Sequence, residues 1–262
     1  MPHPRSSRAS RASRSSRMRR ALTAGVLALV VVGVSGCEYP DDRAAGKTPP
    51  AQGGPAVVGA RAALDGLAVK GRAPKTGYDR VGKFGPAWSG STGGSGTGGR
   101  CDTRNDILRR DLTGVVGKDG SRCVVGTGTL PEDPYTGKRI DFVRGPDSSA
   151  AVQIDHVVAL SDAWQKGAQQ ISQSRREALA NDPLNLLAAD GPANQQKSDS
   201  DAASWLPPHK AFRCAYVARQ IAVKKHYALW VTAAEKAAMG RVLNTCPGQP
   251  LPTHDSPGVK LR

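Results

Sequence analysis

Five polar residues carry the chemistry legible in this 262-residue chain. Asp155 and His156 interrupt an apolar run from Ile154 to Leu160; Asn185 follows after 28 intervening residues, Asn194 comes nine residues later and Lys197 three beyond that. Hydrolysis of a phosphodiester needs a base for the attacking water and a cation that holds the phosphate and stabilises the leaving oxygen. One histidine and one metal ion supply both. Neighbouring residues on a strand point to opposite faces, so Asp155 and His156 can serve different partners. Gly191-Pro192 predicts the opening of a short helix. Asn194 then sits in its first turn, with Lys197 on the same face.

This pattern resembles an HNH nuclease site of the class in which Asp and Asn replace the outer metal-binding histidines. The similarity is greatest to the nuclease domain at the C-terminus of GmrSD-type restriction endonucleases and to secreted actinobacterial HNH proteins. It covers residues 57–246 and is strongest over 154–208. The resemblance implies Asp155 and Asn194 as metal ligands, His156 as general base, Asn185 as a brace for the loop carrying the histidine, and Lys197 as a phosphate contact. A carboxylate and an amide carbonyl are hard oxygen donors, which favours Mg²⁺ or Mn²⁺ over Zn²⁺. The 28 residues before Asn185 are long for a compact ββα-metal unit and predict an inserted helix, with Ser174 to Glu177 as a capping box and Asn181-Asp182-Pro183 as its stop.

The expected frame is a single α+β domain, a ββα-metal (HNH, His-Me finger) site embedded in a mainly helical, disulfide-stapled unit at residues 100–246. Asp102 to Leu112 predicts a helix with Ile107, Leu108 and Leu112 inward. Strand-like pieces follow at Cys123–Val125 and Ile140–Val143, with the active-site strand at Val152–Leu160. After Trp205-Leu206-Pro207-Pro208, Phe212 to Trp230 reads as the clearest helix, its aromatics belonging to the core. Thr232 caps a last helix ending near Leu243. Residues 57–99 form a lead-in that packs on the core and contains a Gly/Ser-rich loop. The Pro-rich tail, 247–262, is expected to be disordered. His209 and His226 are expected at the surface and His3 and His254 in disorder. Lys224 and Lys225 read as a solvated helix face with nucleic-acid contact as the alternative.

The N-terminus reads as an address. Arg19-Arg20 precede an apolar stretch, Ala21 to Val34, and Val34-Ser35-Gly36-Cys37 ends it in the manner of a bacterial lipobox. Residues 1–36 are thus expected to be a signal peptide, with Met18 as the alternative start. Cys37 is then the lipidated first residue of the mature chain, and 38–56 a tether; an ordinary secretory signal is the alternative. The chain carries a net charge of +15. Seven of its 37 basic residues precede Cys37, which leaves 30 basic against 22 acidic, or +8. A basic protein suits a polyanionic partner. Cys101, Cys123, Cys214 and Cys246 remain for an oxidising compartment. Of three possible pairings, local closure as Cys101–Cys123 and Cys214–Cys246 is favoured, with a Cys₄ zinc site as the rival.

The function expected from these features is an extracellular, membrane-anchored, metal-dependent endonuclease acting on DNA, with RNA as a further substrate and little sequence specificity. No protein partner is expected. The rival readings are a non-catalytic nucleic-acid-binding surface lipoprotein and an envelope structural lipoprotein.

Overall fold

Where the active-site strand was expected to run to Leu160, a computed structural model of the chain ends it at His156. The structure describes residues 59–89 and 101–261, which lie in one compact unit spanning Gly53–Arg262; Cys37, His3 and the signal segment lie outside the described residues. In chain order come α1 (Ala60–Asp65), α2 (Arg80–Phe84), α3 (Thr103–Asp111), β1 (Thr113–Gly117), β2 (Val125–Leu130), β3 (Ile140–Val143), β4 (Val152–His156), α4 (Leu160–Gln165), α5 (Gln173–Asn181), β5 (Leu186–Asp190), α6 (Gly191–Lys197), α7 (Arg213–His226) and α8 (Ala233–Leu243). The mixture of helices and strands makes the unit α+β. Among the described residues no helix is long and apolar enough to cross a membrane.

The strands form two antiparallel sheets, β1-β2-β3 and β4-β5. In the smaller one, Ile154 stands opposite Ala188 and His156 opposite Leu186. Alternation therefore sends Val152 and Ile154 into an apolar layer with Leu186, Ala188 and the Ile107-Leu108 face of α3. Helix α3 begins where predicted, because the Asp102 carboxylate accepts from the Asn105 N–H at 2.8 Å. Helix α8 begins on Thr232, which accepts from the Glu235 N–H.

Helix α7 runs through the centre, buried on nearly every side. Free of Gly and Pro, it places Tyr216, Val217 and Ile221 in one apolar cluster and Ala222 and Val223 in another. Its Lys224 is not on a solvated face. It is fully buried with Lys166, Asp162 and Glu235. Lys166 also bonds Asp201 at 2.6 Å, while Arg72 pairs with Asp162 and Asp201 at the rim. Three acids and three bases thus neutralise one another between α4, α7 and α8. Such a cluster is costly to desolvate but severely punishes the loss of one partner.

Three further expectations need correction. The 157–184 insertion contains two helices rather than one. The cap of α5 is Ser172, whose hydroxyl accepts from the Arg175 N–H, two residues before the Ser174 box. Residues 247–261 lie against the core: the Ala60 N–H bonds the Gln249 carbonyl at 2.9 Å, and Val259 is buried with its carbonyl held by Arg110. Prolines lack donors but leave their carbonyls free, so a Pro-rich strip can be tied down by arginines from outside it. His254 is consequently ordered. Two disulfides, Cys101–Cys123 and Cys214–Cys246, staple the fold locally, the second tying the start of α7 to the chain just after α8.

Candidate active site

The β4-β5 hairpin and α6 form a strand–strand–helix unit. Helix α6 starts on Asp190, whose carboxylate accepts from the Ala193 N–H at 2.8 Å, and Pro192 lies in its first turn. Gly191 is required by space: a Cβ there would lie 2.0 Å from the Ala150 carbonyl oxygen. Behind this corner, buried Asp133 accepts from the N–H groups of Asp190, Tyr135 and Thr136, fixing the 131–137 turn to the hairpin.

Helix α6 covers the face of β4 that bears Gln153 and Asp155. Lys197 Nζ donates to Asp155 at 3.0 Å and to the His156 carbonyl oxygen at 2.9 Å. Tyr135 donates its hydroxyl to the other carboxylate oxygen. Burial pushes the Asp155 pKa up, against the pull of Lys197 and Tyr135. Asn194, one turn back on α6, bonds Gln153 at 2.8 Å rather than Asp155. The structure therefore joins Lys197 to Asp155, and Asn194 to Gln153. A divalent cation on Asp155 does not fit this arrangement, because both carboxylate oxygens are already engaged and a buried ammonium stands 3.0 Å away.

His156 points to the opposite face. Its Nε2 lies 2.8 Å from the Ala180 carbonyl oxygen near the end of α5. A carbonyl only accepts, so Nε2 carries the hydrogen and Nδ1 is the acceptor nitrogen. Burial, outweighing this hydrogen bond and joined by the charges of Arg80 and Lys197, pushes the imidazole pKa down to about 3. Trp88 stacks on the ring at 5.9 Å and 12°, with its backbone in the left-handed region at φ 57°. At the other end of β4, Arg104 donates to the Val152 carbonyl.

Asn185 connects the two halves. Fully buried, it accepts from the Val158 N–H at 2.8 Å through Oδ1 and donates to the Val158 and Leu179 carbonyls. Its own carbonyl accepts from the Val157 N–H at 2.7 Å. The Val157 bond keeps the register of the hairpin, but the Asn185 N–H turns to the Asp182 carbonyl instead of back to Val157, and with these bonds the ladder ends at His156. They also hold the chain leaving His156 against the end of the helix that supplies the Ala180 carbonyl.

Comparison with known proteins places this unit. Residues 102–242 match the C-terminal domain of GmrSD restriction endonucleases. The chain belongs to that family. The match runs from the cap of α3 into α8, so this GmrSD C-terminal domain contains β4, β5, α6 and Asn185 within its family core, while Trp88 and His254 lie outside it. An Arthroderma benhamiae protein bearing the name "Uncharacterized secreted protein" is 40% identical over 194 residues, covering 73% of this chain and 87% of that protein.

Sequence reasoning did not find Tyr135, Trp88, Gln153 or the Ala180 carbonyl as members of the site. Tyr135 sits in a segment of prolines, acids and a glycine, and Trp88 in a stretch rich in Gly and Pro, with no local pattern to mark either. Their contacts depend on tertiary placement that no local spacing encodes.

Proposed function

We propose that this chain is an exported endonuclease that hydrolyses phosphodiester bonds, in DNA first and RNA second, with little sequence specificity. His156 is the general base. The observation that carries this reading is the 2.8 Å bond from Nε2 to the Ala180 carbonyl, which orients the ring and leaves Nδ1 to take a proton from water. Trp88 stacks on the imidazole and the charge of Arg80 bears on it, which supplies an aromatic face and positive charge for the substrate. Asn185 acts as a positioning residue through the Val157-Val158 segment.

Family membership supports the nuclease chemistry and, by resemblance, a divalent metal, Mg²⁺ or Mn²⁺. Asp155 as arranged offers no open place for it, and Lys197 is committed to Asp155 rather than to phosphate, so the hydrolytic role assigned here rests on His156 alone. Export is supported by the two disulfides and by the secreted relative's name. Cys37 is the proposed lipid attachment. Incubating the purified chain with supercoiled plasmid in Mg²⁺, Mn²⁺ or EDTA tests the reading: nicking in at least one metal buffer is expected, and intact plasmid in all of them contradicts it.

A further inference from the structure

Asp182, His226 and His254 come from three separate segments: the residue that ends α5, the last residue of α7 and the C-terminal strip. Each offers one donor atom, and the three donors lie within 4.8 Å of one another. His254 Nε2 is 2.8 Å from Asp182 Oδ1, and the two imidazoles meet edge to face with centroids 5.3 Å apart. The carboxylate is oriented before any ligand arrives. Its Oδ1 accepts from the Leu184 N–H at 2.7 Å and its Oδ2 from the Tyr227 hydroxyl at 2.8 Å. Such an outer layer of hydrogen bonds is the usual support of a metal-binding group.

We propose that these three residues form a site for Zn²⁺ or a similar first-row transition ion, separate from the His156 site, which clamps the C-terminal strip onto the α5–β5 turn. Two imidazole nitrogens and one carboxylate oxygen suit such borderline ions better than Mg²⁺. Ligands of a tetrahedral Zn²⁺ stand about 3.3 Å apart at bond lengths of about 2.0–2.1 Å. His226 is exposed at its helix end and His254 half-exposed, so both rings are free to close the remaining gap by side-chain rotation. The buried Asp182 supplies the negative charge. Arg175 is the opposing group: its guanidinium donates to the His226 carbonyl and stacks over Tyr227. The clamp bears on a turn that matters, since the Asp182 carbonyl accepts from the Asn185 N–H at 2.8 Å and Ala180 lies two residues upstream.

Thermal unfolding of the full chain with added Zn²⁺, with Mg²⁺ as comparison, tests the site without recourse to cleavage. At a hundredfold excess over Kd, a ligand specific to the folded state raises Tm by about 5–10 °C in a protein of this size. The shift is expected in the wild type and in His156→Ala, and is expected to vanish in His226→Ala, whose side chain supports no core packing, and in His254→Gln, which keeps a donor toward Asp182 but ligates poorly. No Zn²⁺ shift in the wild type, or an undiminished shift in the His226→Ala/His254→Gln double variant, overturns the proposal. Loss of the shift in His156→Ala alone does the same, because it would move the ion to the other site.

Discussion

The fully buried ammonium of Lys197 stands 3.0 Å from the Asp155 carboxylate and ties the end of α6 to the end of β4. Among the described residues each group is the other's only compensating charge within hydrogen-bonding reach. Lys197→Met leaves a buried carboxylate with hydrogen bonds but no countercharge beside it and is expected to cost about 3–5 kcal/mol. The Asp155→Asn/Lys197→Met double variant is expected to recover much of that loss in urea unfolding, and strictly additive single costs would show that the pair is not coupled. Mn²⁺ is expected to stabilise Lys197→Met more than the wild type, since removing the ammonium frees a carboxylate oxygen.

His156 leaves a signature in acid. Its pKa in the fold, about 3, lies below the unfolded value near 6.5. Above pH 6.5 the ring is neutral in both states and contributes no pH dependence. Between 6.5 and 3 only the unfolded chain binds the proton, so stability falls with falling pH by about 1.4 kcal/mol per unit from this group. His156→Ala is expected to flatten the fall by that slope, measured as urea midpoints from pH 7 to 4. Parallel curves would mean that the imidazole titrates normally.

Asn185 spends both amide hydrogens and its amide oxygen on buried backbone groups and has no solvent to fall back on. Asn185→Ala strands the Val158 N–H and two carbonyls, each worth about 1–3 kcal/mol when buried and unpaired. We expect a loss of about 2–4 kcal/mol together with faster hydrogen exchange at Val157 and Val158. Unchanged exchange at those two amides would remove Asn185 from its bracing role.

Much of this frame was legible in the chain because its signals are local. Asp102 and Thr232 announce helix starts through their own side chains, and Gly191-Pro192 announces α6. The apolar alternation around Ile154 marks β4. What escaped was long-range. The partner of Asp155 is Lys197, a residue read as a phosphate contact because nothing near it in sequence says where an ammonium is buried. Lys224 misled in the same way: its carboxylate partners, Asp162 and Glu235, lie 62 and 11 residues away on other helices. The Pro-rich tail looked unable to pack because its anchors, Arg110 and Arg219, belong to α3 and α7.

Cys37 lies outside the described residues, and its role rests on the small-residue triplet that precedes it. Cys37→Ser is expected to move the protein from the membrane fraction to the medium or to leave the precursor uncleaved. A mature acylated Cys37→Ser product in membranes would show that lipid is attached elsewhere.

The most direct test of the account is plasmid cleavage by His156→Ala beside the wild type, both checked for folding at neutral pH. Removing a general base is expected to slow nicking by about 10²–10⁴-fold. Tm at pH 7.5 should fall modestly, because the lost contacts are the Ala180 hydrogen bond and the Trp88 stack, and plasmid binding should persist. A folded His156→Ala protein that nicks plasmid at the wild-type rate would contradict the assignment of His156 as the base.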